Sequence, residues 1–132
     1  MLRDKVSKRV DLTNIGIIVI GRNEGKRLRQ CLDSVLQSGY PIVYVDSGST
    51  DDSVVTARSC AIEVIELDSS RPYSAARARN EGFERLLNQH PAVQFVQFID
   101  GDCTLLTGWL EVAVRSFLED TKRAAVVGHL RE

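Results

Sequence analysis

The sequence predicts an α/β protein, a mainly parallel sheet flanked by helices. Short apolar, β-branched runs alternate with segments whose apolar residues recur at helical spacing, in the order β-α-β-α-β-α-β-α-β. Strands that alternate with amphipathic helices connect through right-handed crossovers, which makes them parallel. At 132 residues, with 43% apolar and 27% charged, the chain has the makings of one globular domain; disorder and fibrous repeats are excluded.

Residues 1–13 are polar and charged and are expected to form an arm, leaving residues 14–132 as one α/β domain. Ile15 to Ile20 reads as a strand buried on both faces. Arg27 to Gln37 places Leu28, Cys31, Leu32, Val35 and Leu36 on one helical stripe, which Gly39 and Pro41 stop. Ile42 to Val45 is the second strand, and Ser53 to Cys60 a short helix that Ser49 or Thr50 could cap. Ile62 to Leu67 is the third strand. Ser74 to Asn88 is helical, with Ala75, Ala78, Phe83, Leu86 and Leu87 inward. Val93 to Ile99 is the fourth strand, Leu106 to Leu118 a helix, and Ala124 to Leu130 a fifth strand.

With 17 Lys+Arg against 18 Asp+Glu, the net charge is -1. No global field draws nucleic acid or anionic lipid, so a charged ligand must be met by a local cluster. Cys31, Cys60 and Cys103 are far apart and odd in number, which points to reduced thiols and a cytoplasmic location. Ile15 to Ile20 is too short to span a bilayer, and the N-terminus lacks the apolar stretch of a secretory signal. No transmembrane segment is expected.

In parallel sheets ligands bind at the carboxyl ends of the strands, and polar residues and glycines gather at these ends here. Asp100-Gly101-Asp102 is the sharpest signal. Two nearby carboxylates repel unless a cation bridges them, and Mg²⁺ or Mn²⁺ suits oxygen ligands completed by water and phosphate. The structural alternative is a helix N-cap. Asp46, ending the second strand, could accept a hydrogen bond from a nucleobase, with Ser47, Gly48 and Ser49 turning the backbone beneath it. Gly21-Arg22-Asn23-Glu24-Gly25-Lys26 matches neither a Walker A loop nor a dinucleotide fingerprint. Asn23 and Glu24 could line a base pocket, or cap the helix and favour its dipole. Arg77 and Arg79, two apart, cannot share a helix face, so one is expected to reach a diphosphate and the other solvent. His90 is expected at the surface. Cys103 has no evident base beside it. The residues themselves identify no catalytic residue.

Five segments occur in register: Ile17-Ile18-Val19-Ile20-Gly21-Arg22-Asn23-Glu24, Cys31-Leu32-Asp33-Ser34-Val35, Val45-Asp46-Ser47-Gly48-Ser49-Thr50-Asp51, Ala78-Arg79-Asn80-Glu81-Gly82 and Ile99-Asp100-Gly101-Asp102. Together they resemble the first half of a family 2 glycosyltransferase of GT-A fold, a Rossmann-like nucleotide-binding half, and 126–132 resembles the strand that follows. Gly21 and Ser47 stand where the family often has proline and a second aspartate. The resemblance implies a nucleoside-diphosphate-sugar donor, often a UDP-sugar, and inverting transfer to an acceptor hydroxyl. Asp46 would contact the base, with Asn23 and Glu24 close by. Arg79 would lie near base or diphosphate, Asp100 would face ribose or metal, and Asp102 would bind the divalent ion. In the family the general base and the acceptor pocket follow the fifth strand, so this chain is expected to carry the donor-binding half of a truncated domain. Two other readings are carried forward. Asp100-x-Asp102-x-Thr104 also fits the spacing of a haloacid-dehalogenase-type phosphatase motif with Asp100 as nucleophile. A nucleotide-binding or assembly module would bind without turnover, and an exposed apolar edge would drive it to a homo-oligomer.

Overall fold

A computed structural model describes residues 14–131, in two compact units, Asn14–Leu105 and the segment from Leu106 onward. The expected arm at 1–13 lies outside the described residues. The first unit runs β1 (Ile15–Gly21), α1 (Lys26–Leu36), β2 (Ile42–Asp46), α2 (Ser53–Ser59), β3 (Glu63–Glu66), α3 (Ala75–Gln89), β4 (Phe95–Asp100). All four strands are parallel, in the order β3-β2-β1-β4. The mainly parallel α/β expectation holds.

The chain lays β2 and β3 outward from β1, then crosses back to put β4 on β1's other side. Reversing direction this way sends α3 to the opposite face of the sheet from the earlier helices and leaves a crevice beyond the carboxyl ends of β1 and β4. β1 is an inner strand with both faces covered by helices: Ile15, Ile17, Ile18 and Val19 are at most 1% exposed. Strand alternation divides them. Ile18 and Ile20 join Val43, Val45, Leu67, Ala78 and Leu86 in the core beneath α3. Close approach of α3 depends on two missing side chains. A Cβ on Gly82 would fall 2.8 Å from Ile18 Cγ2 and 2.9 Å from Val45 Cγ2; one on Gly16 would fall 2.5 Å from Leu86 Cδ2. On α1 the buried stripe is Leu28, Cys31, Leu32 and Val35. Ser34 Oγ of that helix accepts the Leu105 N–H at 2.9 Å, and Cys31 Sγ meets the Asp100 carbonyl at 3.6 Å, tying α1 to the end of β4.

The second unit holds α4 (Trp109–Glu119), whose buried residue is Val114. A Cβ on Gly128 would approach the Trp109 ring at 3.2 Å. The expected fifth strand at 124–130 is not formed: these residues are irregular and mostly exposed. A strand exists only where a neighbour's backbone pairs with it, and none among the described residues does so here.

Candidate functional site

β1, β2 and β4 end level with one another, Gly21 opposite Asp46 and Ile20 opposite Asp100. Two kinds of structure follow these ends. After β1 and β2 the loops lock together. Asn23 Oδ1 accepts from the backbone N–H groups of Thr50 at 2.7 Å and Asp51 at 3.3 Å. In return the Asn23 N–H donates to Ser49 Oγ at 2.9 Å, and the Gly25 N–H to Asp51 Oδ2 at 3.1 Å. Asn23 sits at φ 52°, a left-handed conformation that asparagine tolerates better than most residues. It is therefore a bracket between loops and not a helix cap; the N-cap of α1 is Gly25.

Asp46 is 1% exposed. Its Oδ1 accepts from Tyr44 Oη at 2.7 Å and Ser49 Oγ at 2.6 Å, and its Oδ2 from the Ser49 N–H at 2.7 Å. Burial, and then the bond to Asp46, push the Tyr44 phenol well up, which keeps it a donor. Neither Ser49 nor Thr50 caps α2. The flanking residue is Asp52, without a side-chain cap bond, while Asp51 Oδ1 accepts from the Ser53 N–H at 2.9 Å and Ser53 Oγ at 2.5 Å. Those Ser53 bonds hold the Asp51 carboxyl below its usual range.

After β4 the chain opens. The Gly101 N–H donates to the Ile20 carbonyl at 2.7 Å, keeping the turn beside β1. Asp100 and Asp102 are both exposed. Arg79 Nη2, from α3, pairs with Asp100 Oδ1 at 3.2 Å. Glu24 approaches from the β1 side, only 18% exposed, with Arg27 Nη2 at 3.2 Å from its Oε2. That oxygen is buried, and the Arg27 contact lacks hydrogen-bond alignment. Burial, followed by the negative charge of Asp102, raises the Glu24 carboxyl above its usual range; Asp100 adds a smaller push. Cys103 Sγ lies 3.5 Å from Asp102 Oδ1, and burial and that contact raise its thiol, so it is poorly suited to be a nucleophile. Cys31, behind the site, is pushed up to about 12, chiefly by burial.

The structure thus brings Glu24, Asp100, Asp102 and Arg79 to one edge, with Asn23, Asp46 and Ser49 in the adjoining corner. Among the described residues no three His, Cys, Asp or Glu side chains form a metal cage. A magnesium-type site does not need one, since one or two carboxylates plus water and phosphate suffice. The two exposed carboxylates Asp100 and Asp102, two residues apart at the strand end, fit such an ion chemically. Tyr44 and Asp51 were missed as site-shaping residues. Tyr44 reads as core from sequence; Asp51 carried a signal in its place two before Ser53, the spacing of an Asx turn.

The model for the family described as Glycosyl transferase family 2 matches residues 16–132. The chain belongs to glycosyl transferase family 2. It is 31% identical over 108 residues to Glycosyltransferase AglE of Haloferax volcanii, covering 76% of this chain and 34% of that protein. Identity to the 4,4'-diaponeurosporenoate glycosyltransferase of Staphylococcus aureus (strain MRSA252) is 30% over 95 residues, 68% of this chain and 24% of that one. This family 2 chain therefore spans about a third or less of the length of the curated relatives it matches. A solved structure, glucosyl-3-phosphoglycerate synthase from Mycobacterium tuberculosis in complex with Mn²⁺, UDP and glucosyl-3-phosphoglycerate, aligns with TM-score 0.48 at 24% identity, covering 67% of this chain and 33% of that one. Family 2 membership displaces the phosphatase reading, and the Arg79 pair on Asp100 also disfavours that carboxylate as a free nucleophile. No helix among the described residues is long and apolar enough to cross a membrane.

Proposed function

We propose that the carboxyl edge of this sheet binds a nucleoside-diphosphate sugar, a UDP-sugar in the first instance, as the donor-binding half of an inverting glycosyltransferase. The observation that carries this reading is the contrast at that edge. Asp46 is buried and Asp51, though exposed, is bonded to the backbone of its own and the facing loop, whereas Asp100 and Asp102 are exposed at the carboxyl ends of β1 and β4 with Arg79 as their one ion-pair partner and Glu24 in electrostatic reach of both.

In this reading Asp102 and Asp100 hold Mg²⁺ or Mn²⁺. The ion, when bound, neutralises charge developing on the departing diphosphate. Arg79 holds Asp100 in place by their ion pair and adds positive charge beside the diphosphate. Asn23 and Ser49 fix the two loops as a floor for the nucleoside, and Asp46, buried and bonded to Tyr44 and Ser49, anchors that floor from below without touching the base. Glu24, disfavoured as an anion by burial and then by Asp102, gains its charge more readily once a cation enters. Sugar transfer then proceeds by attack of the acceptor hydroxyl on the anomeric carbon opposite the leaving diphosphate. No described residue is assigned as the general base.

Calorimetry with UDP tests the reading. Binding is expected with Mn²⁺ present, and Asp102→Ala should remove it. Equal affinity with and without the ion would overturn the metal assignment; no binding in either condition would overturn the donor site. Binding by a chain that turns over no UDP-sugar would favour the non-catalytic module.

A further inference from the structure

A second construction stands at the same edge, built on an aromatic ring. The Arg22 guanidinium carbon lies 5.6 Å from the centroid of Tyr73, within cation–π reach. Tyr73 is itself held. A Cβ on Gly48 would fall 2.8 Å from Tyr73 Cε2, Cζ and Oη, so the ring edge rests against the backbone of the β2–α2 loop. From α3, Arg77 approaches the same ring at 6.0 Å. Arg77 Nη1 donates to the Arg71 carbonyl at 3.0 Å and the Pro72 carbonyl at 3.3 Å, and its Nε pairs with Glu81 at 3.4 Å. With its side chain 12% exposed, Arg77 acts as an internal latch on the segment that carries Tyr73.

Arg22 is different. It follows Gly21 at the end of the central strand, beside the crevice, and it is exposed. The neighbouring arginines all have acid partners: Arg27 with Glu24, Arg71 and Arg77 with Glu81, Arg79 with Asp100. Among the described residues Arg22 has no such pair. A cation–π contact engages the charge of a guanidinium without using up its N–H donors, and a guanidinium fork fits a phosphate bidentately. A guanidinium without an acid partner, at an edge where the neighbouring arginines are all paired, is suited to an anionic ligand.

We propose that Arg22, held by its cation–π contact with Tyr73 and backed by the Arg77 latch, grips the diphosphate of the donor. This rests on the donor-site reading above and adds to it a phosphate-binding residue and a positioning pair, Tyr73 and Arg77.

The test compares UDP with uridine by calorimetry in the presence of Mn²⁺, with thermal melts confirming that each variant is folded. Arg22→Ala should weaken UDP by about ten- to a hundred-fold, the scale of a charge-assisted contact, and leave uridine unchanged. Arg22→Lys should fall between, since an ammonium keeps the charge without the planar fork. Tyr73→Leu should weaken UDP several-fold without touching uridine, and Tyr73→Phe should restore wild-type affinity because the ring remains. Wild-type UDP affinity in Arg22→Ala, or equal losses for UDP and uridine, would overturn the proposal while leaving the donor site intact. A wild-type protein that bound no UDP would overturn the donor site itself, and this inference with it.

Discussion

At the ends of β1 and β2, Asn23, Asp46, Ser49 and Asp51 bond to one another and to the backbone of the facing loop. At the end of β4, Asp100 and Asp102 face solvent, with one ion pair, to Arg79. The residue types are alike; burial decides the use of Asp46, and bonds to Ser53 and Gly25 decide that of the exposed Asp51. A carboxylate at 1% exposure must satisfy its oxygens inside the protein, so Asp46 organises a loop. Exposed carboxylates are satisfied by water and can exchange it for a cation or a ligand. Preorganisation on one side and open valence on the other is the division that a binding edge needs.

Removing Asp46 should break that division most. Asp46→Ala strands the buried Tyr44 hydroxyl and the Ser49 N–H, and a loss of about 3 kcal/mol or more is expected in urea denaturation. Tyr44→Phe removes a single donor and should cost about 1–2 kcal/mol. Asn23→Ala combines two lost backbone bonds with a left-handed φ that alanine resists, for about 2 kcal/mol. Asn23→Gly relieves the backbone part and should recover about half of that loss. Equal losses in the two variants would mean that the bonds alone matter.

Much of this is legible in the sequence. The run Ile15 to Ile20 announced a strand covered on both faces, and β1 is buried throughout that run, paired with β2 on one side and β4 on the other. The helical stripe of Leu28, Cys31, Leu32 and Val35 is the buried face of α1. Caps were less legible. Ser49 and Asn23 have the local chemistry of N-caps, but each found a partner 26 or more residues away, and a tertiary bond in a tight corner outcompetes a local one. The apolar residues of 124–130 carried the same signal as β3, yet strand identity depends on a distant partner that periodicity does not encode. Arg22 and Tyr73 were invisible as a pair for the same reason: they are far apart in sequence and meet only because two loops end at one edge.

Titration separates the two regions by sign. In the corner, Asp51 is lowered by its Ser53 bonds, so its contribution to stability is present at neutral pH and lost as pH falls through the depressed folded value. At the open edge, Glu24 is raised by burial and by Asp102, so the folded state holds that proton more tightly than the unfolded chain. Its contribution is greatest at low pH and is lost as pH rises from the ordinary carboxylate range through the raised value. Glu24→Gln should abolish that loss and make the free protein more stable than wild type at pH 7. Chemical denaturation across a pH series checks it; a destabilised variant would show that the Arg27 pair outweighs the repulsion.

The smallest expected effect on stability is the most informative. Asp102→Asn removes an exposed carboxylate that repels Glu24, and should shift stability by no more than about 0.5 kcal/mol. Asp100→Asn also gives up the Arg79 pair, whose members are 40% and 56% exposed; a screened pair of this kind contributes about 0–1 kcal/mol. Both variants should therefore melt with the wild type yet lose Mn²⁺-dependent UDP binding, the reverse of Tyr44→Phe, which should lose stability while its Mn²⁺ requirement persists. If Asp102→Asn instead destabilised the fold as much as Tyr44→Phe, the β4 turn would be scaffold like the corner. The distinction between structural and ligand-facing acids would then fail, because an acid that holds a fold together is not free to exchange its partners for a ligand.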